Sequence, residues 1–240
     1  MAKRSRTTAV SDMSTVDADL QDFLDKWRRR WPEWRIAQVF VAEAQRETAE
    51  AWFAMLQEWT DAAWAGDDPT PGFAKLGWWQ EELIGWTKGA RRHPLGSVLQ
   101  KRSAKWAMLG SELTVLQAVR EPLRACAEIE ILQPQLQALS SAIAACEHDL
   151  FAAQGVPVAD AFGLLAAHAL WHREESTDVV RFKAWVRTLA ATAPQRADSR
   201  PRRIHDALSL ARLRRIAADG ATAPLSPPTA LWCSWRAARG

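Results

Sequence analysis

Apolar side chains, tryptophan foremost, recur at helical steps through residues 43–99, and that period limits what the chain can fold into. In residues 43–65, Ala49, Trp52, Phe53, Leu56, Trp59, Thr60, Ala63 and Trp64 stand on one face of a helix, at its steps of three and four. In the next run Leu76, Trp79, Leu83 and Trp86 repeat the step. His93-Pro94 ends it, because proline brings no amide hydrogen to a continuing helix. Between the runs, Gly66-Asp67-Asp68-Pro69-Thr70-Pro71-Gly72 has the composition of a turn. The pattern predicts two amphipathic helices joined by a short acidic loop.

Other segments read the same way. Residues 17–30 carry Leu20, Phe23, Leu24 and Trp27 on one face, with Pro32 closing the run, and 33–43 continue helically. Helices follow over about 104–119, interrupted by Pro122, and over about 135–153, where Leu136, Leu139, Ile143, Cys146 and Leu150 keep register. The most apolar helix falls at 158–173, then one at 178–191 and a basic one at 204–217. No stretch alternates with the period of two that a strand requires, and no repeat of fixed length appears. With 240 residues, 48% of them hydrophobic and 25% charged, the chain is sized for one globular domain. The expectation is all-α and single-domain: 1–15 a disordered tail, 16–193 the helical domain, and 194–240 a basic C-terminal helix and tail packed on it. Residues 194–201 read as a polar, exposed and cleavable linker.

Fourteen tryptophans without a tyrosine point to a core or a wide apolar groove lined by indoles. The net charge of +3 is too small to announce specific nucleic-acid binding. Positive charge concentrates in 196–215, where seven arginines stand against two aspartates, a net of +5. That segment reads as a solvated helix face or as a patch for phosphate, anionic lipid or an acidic partner. Cys126, Cys146 and Cys233 are far apart and suggest neither zinc nor a disulfide framework, which fits a cytoplasmic protein. No run is long and apolar enough to span a membrane, so membrane contact would be peripheral.

The stretch 46–99 also carries a family likeness. Arg46, Ala51, Phe53, Ala54, Glu58 and Asp61 are followed, after the proline-bearing gap, by Leu76-Gly77-Trp78-Trp79, Glu82-Leu83, Gly89, His93-Pro94 and Leu99. This succession resembles the squalene/phytoene synthase family, the head-to-head prenyl-diphosphate condensing enzymes and their non-catalytic relatives. The resemblance implies an isoprenoid-synthase-like helical bundle around a central apolar cavity. It implies catalytic roles for Asp61 and Glu58, and substrate contacts from Arg46, Trp79, Arg92, His93 and Arg173. Asp61, Glu174 and Glu175 would hold Mg²⁺ if the chain is active; otherwise no cofactor is expected.

Members of the family hold magnesium with paired D-x-x-x-D motifs on two helices, because the ion needs several oxygen ligands to grip a diphosphate. Here the first pair reads Asp61-Ala62-Ala63-Trp64-Ala65, so Ala65 stands where the second aspartate would. At the second pair the chain offers His172-Arg173-Glu174-Glu175. His168 and His172 sit four apart on one helix face, a metal-ligand spacing that is also common in cores. Cys146, His148 and Asp149 form a weaker grouping. Three readings stay open. One is a squalene/phytoene synthase-like protein with degenerate metal motifs that binds an isoprenoid or a protein partner. The second is an active prenyl-diphosphate condensing transferase of isoprenoid biosynthesis. The third is a helical adaptor using its basic surface.

Overall fold

Every regular element among residues 5–173 and 178–239, the part that the computed structural model describes, is a helix. In order these are α1 (Ser5–Arg30), α2 (Trp34–Ala37) with a 3-10 turn at Gln38–Phe40, α3 (Glu43–Trp64), α4 (Thr70–Trp86) and α5 (Gly96–Leu99). Next come α6 (Trp106–Glu112), α7 (Val115–Ala118), α8 (Arg120–Arg124) and α9 (Ile129–Leu150). The chain closes with α10 (Phe162–Trp171), α11 (Val179–Ala191), α12 (Arg200–Asp219) and α13 (Pro227–Arg239). None of these helices is long and apolar enough to cross a membrane. Helix α1 starts at Ser5, inside the stretch read from sequence as a tail.

Helix α3 has no glycine or proline and is rich in alanine, leucine, glutamate and glutamine, all good helix formers. It packs against α1, α4, α5, α7 and α10. From Thr48 to Thr60 every residue is buried. The sequence pattern gave it one apolar face and one wet face; the structure encloses it on all sides, as befits the middle helix of a bundle. Its polar residues Glu50, Gln57 and Glu58 therefore sit inside the protein and need partners there. Around it Trp27, Trp34, Trp52, Trp59, Trp64 and Trp79 are among the largest fully buried side chains. At about 25 cal/mol per Å², burying one tryptophan contributes roughly 4–6 kcal/mol.

Helix α4 begins earlier than the turn composition suggested. Pro71 sits in its first turn, where a missing amide hydrogen leaves no bond unmade, and Asp68 Oδ1 accepts from Thr70 N–H at 2.9 Å. Gly72 lets the two helices touch: a Cβ there would lie 1.8 Å from the Ala62 carbonyl oxygen. Helix α9 also starts early, at Ile129, and carries Pro134 inside. Burial of Ile129 and Leu132 offsets the hydrogen bond that proline removes.

The C-terminal third differs most from its sequence reading. Helix α12 packs on α10, α11 and α13. Two of its arginines, Arg202 and Arg212, turn inward, while Arg200 and Arg214 stay exposed and Arg203 and Arg215 are half-buried. Arg212 is 5% exposed; it donates to Glu33 at 2.9 and 2.5 Å and lies over the rings of Trp31 and Trp171. Glu33 also accepts from Leu225 N–H at 2.6 Å, joining the α1–α2 corner to the C-terminal segment. Arg203, Arg214 and Arg215 bond to carbonyl oxygens of neighbouring segments. The expected linker is not free either. Ser199 is buried and caps α12, and Asp198 is bonded to the 148–155 segment. The apolar helix predicted at 158–173 begins only at Phe162, because residues 156–160 run without helix along the same region.

Candidate functional site

Glu58 and Asp61 stand one turn apart on α3, and the structure brings basic side chains from two other helices onto them. Lys26 of α1 and Lys75 of α4 each reach Glu58 at 2.5 Å. Arg30 of α1 meets Asp61 at 2.7 Å, Lys26 lies 3.6 Å from its other oxygen, and His172 Nε2 lies 3.5 Å away. Burial alone would raise the Glu58 carboxyl; the two lysines outweigh it and hold the group below its ordinary range. His172 is buried and pushed down to about 3, so it meets Asp61 as neutral imidazole. Both carboxylates are thus already gripped by the chain's own cations.

The other residues singled out from the sequence fall elsewhere. Arg46 donates to the Gln38 and Val41 carbonyls at 3.1 and 3.2 Å and closes the 3-10 turn. It is roughly 22 Å along α3 from Asp61, at 1.5 Å per residue, at the other end of the helix. The W-W…E-L…H-P signature builds a clip. Glu82 accepts from Trp86 Nε1, Arg92 N–H and His93 N–H at 2.9, 2.7 and 2.9 Å, and from Arg92 Nε at 3.0 Å. His93 is wedged against Trp79, Trp78 and Phe23, and burial takes it down to about 4. Trp79 is completely buried and meets Trp59 edge to face at 5.9 Å. Arg173 is exposed at the end of α10. Glu174 and Glu175 lie outside the described residues.

Among the described residues no group of three His, Cys, Asp or Glu is placed to hold a metal. His168 and His172 are stacked with ring centroids 6.3 Å apart, both against the edge of Trp64. The Cys146 thiol is buried and pushed up to about 12, so it is no nucleophile. His148 pairs with Asp198 at 2.7 Å and not with Cys146.

On the opposite flank of α3 lies a cavity of about 70 Å³, bordered by α1, α3, α9, α10 and α12. Trp27, Trp31, Phe53, Leu56, Ile143 and Trp171 give it an apolar wall. The facing wall is polar. Glu147 of α9 accepts from Arg202 Nε at 2.9 and 3.1 Å and from its Nη2, and takes the Trp52 indole N–H at 2.6 Å. Asp206, one turn along α12, is 3.6 Å from Arg202 Nη1. His205 stacks on Phe53 with centroids 4.3 Å apart. Gly163 of α10 faces this pair: a Cβ there would come within 2.9 Å of Arg202 Nη1 and 3.6 Å of Asp206 Oδ1. Asp198 and Asp160 tie the rim together, accepting from Gly155 N–H at 2.9 Å and Gln195 N–H at 2.6 Å.

Burial lowers the Arg202 guanidinium, but Glu147 and Asp206 outweigh it and keep the group firmly charged. Burial raises Asp206 to about 7 and takes His205 well below its ordinary value, leaving a neutral imidazole. Four polar atoms of the lining residues have no hydrogen-bond partner: Gln57 Oε1, Ser140 Oγ, His205 Nδ1 and Asp206 Oδ1. Each belongs to a residue at least nine-tenths buried. Sequence reasoning missed Arg202, His205, Asp206, Glu147 and Gln57. A signal was present: Arg202, His205, Asp206, Ser209 and Arg212 recur at steps of three and four beside Ile204 and Leu208, which is the stripe of a buried polar face. No family model, curated protein or solved structure matches this chain.

Proposed function

We propose that the chain is a non-catalytic protein of the squalene/phytoene synthase type, which works by binding one end of an isoprenoid in the cavity beside α3. The observation that carries this reading is the occupation of Glu58 and Asp61 by Lys26, Lys75 and Arg30. A magnesium ion requires several oxygen ligands, and it competes poorly for carboxylates that already have charged donors within 2.5–2.7 Å. With Ala65 in place of a second aspartate, the described residues do not fit such an ion. No step of prenyl transfer is routed through one. The cavity that this reading assigns to the isoprenoid is the one walled by Trp27, Trp31 and Trp171; Asp61 is not among its lining residues. The adaptor reading has less to draw on than the sequence offered, because Arg202 and Arg212 are buried in ion pairs with Glu147 and Glu33; Arg196, Arg200 and Arg214 stay exposed.

The test offers the protein geranyl and farnesyl diphosphate with Mg²⁺ and measures diphosphate release, then titrates farnesol while following tryptophan fluorescence. The expected result is no release and a saturable quench. Mg²⁺-dependent release that vanishes in Asp61→Ala would overturn the proposal, and so would the absence of any saturable quench.

A further inference from the structure

The cavity beside α3 has a specific head-group chemistry. Its unpartnered atoms are two oxygens that only accept, Gln57 Oε1 and Asp206 Oδ1, the ring nitrogen His205 Nδ1, and the Ser140 hydroxyl. Leaving such atoms buried and unpaired costs on the order of 1–3 kcal/mol each, so a fold that keeps four around one cavity has a use for them. The charge is one-sided as well. Glu147, Asp160, Asp198 and Asp206 line the cavity against Arg202, with His148 already shared by Asp198. Glu147 and Arg202 neutralise one another, which leaves Asp206 as the inner carboxylate without a full partner.

We infer that the cavity takes a primary ammonium at the end of an apolar chain, its three N–H donors meeting Asp206, Gln57 and His205. Trp27, Trp31 and Phe53 flank the carbons next to it, and the rest of the chain lies beyond the cavity's open side. An ammonium has three donors and no acceptor, which complements a set of acceptors. Aromatic faces favour a cation beside them. A diphosphate finds the reverse: an excess of carboxylates and a single arginine already held by Glu147. Gly163 lets α10 close directly on the Arg202–Asp206 pair, where a Cβ would fall 2.9 Å from Arg202 Nη1. This inference rests on the binding reading for the apolar body and adds the head group to it.

The test compares geranylamine, geraniol and geranyl diphosphate, three ligands with one ten-carbon chain, by calorimetry without metal. Geranylamine is expected to bind at least tenfold more tightly than geraniol, with Asp206→Asn removing that advantage and leaving geraniol unchanged. The wild-type protein gives a second readout that does not depend on the variant folding. Facing Asp206 are Arg202 on its own helix, Glu147 of α9 and Asp160 ahead of α10. Amine affinity rises as Asp206 ionises with pH through about 7, while geraniol affinity stays flat. Equal binding of amine and alcohol, flat with pH, would overturn the ammonium site and leave the isoprenoid reading intact. Tightest binding by the diphosphate would also overturn it. No binding by any of the three would sink both.

Discussion

Gln57 and Glu58 are neighbours on α3 and have opposite fates. Glu58 points to the flank shared with α1 and α4 and is gripped by two lysines; Gln57 points to the cavity, and its carbonyl oxygen has no partner. The same contrast runs along both sides of the helix. On one side Asp61 is matched by Arg30, and on the other Asp206 and His205 keep unpaired atoms around a space. The matched flank also has unpartnered nitrogens, on Trp59, Trp79 and His172, but its carboxylates are paired. At the cavity the unpartnered atoms are acceptors around a space, which is what a donor-rich ligand would pair.

This difference can be broken from either side. The largest effect is expected for Arg202→Ala, which strands Glu147 in the interior and costs about 3–5 kcal/mol in denaturant unfolding. A cost below about 1 kcal/mol would mean that the ion pair does not close the cavity wall. Next comes acid. His93, on the matched flank, is held near 4 against an ordinary value of 6.5. The unfolded chain therefore binds the extra proton, and the contribution is present above about pH 6.5 and lost as pH falls toward 4. A decline of about 2 kcal/mol is expected over that window, and His93→Gln flattens it. Glu58→Gln is milder, about 1 kcal/mol, because Lys26 and Lys75 are each 43% exposed and can turn to water. The smallest substitution sharpens the contrast most. Ser140→Ala removes a buried hydroxyl that bonds to nothing, so the free protein should gain about 1 kcal/mol, the low end of what an unpaired buried group costs. A loss above 1 kcal/mol would show that the cavity polar groups are structural.

The helical class was legible from tryptophan spacing alone, since Trp52, Trp59, Trp79 and Trp86 all sit where the period puts them. Enclosure of α3 was not legible, because periodicity shows which face is apolar and says nothing about what covers the other. Glu58 and Asp61 could be named from sequence, but their cations come from α1 and α4, and Lys26 and Glu58 are 32 positions apart. Arg202 and Arg212 of α12 misled for the same reason. Charge density looks the same whether its partners are water or Glu33 and Glu147. The Glu82–His93 clip shows what the stretch singled out from sequence builds: a turn whose donors and acceptors satisfy one another.

The bond between Glu33 and Arg212 joins positions 179 residues apart. During synthesis at roughly 5–20 residues per second, the corner holding Trp31, Glu33 and Trp34 waits on the order of 10–35 s for its counter-ion to be made. Over that interval a carboxylate and two indoles that end up buried are without their cover, so the unfinished chain is a natural client for chaperones. Shortening the protein from its C-terminus would prolong that state indefinitely.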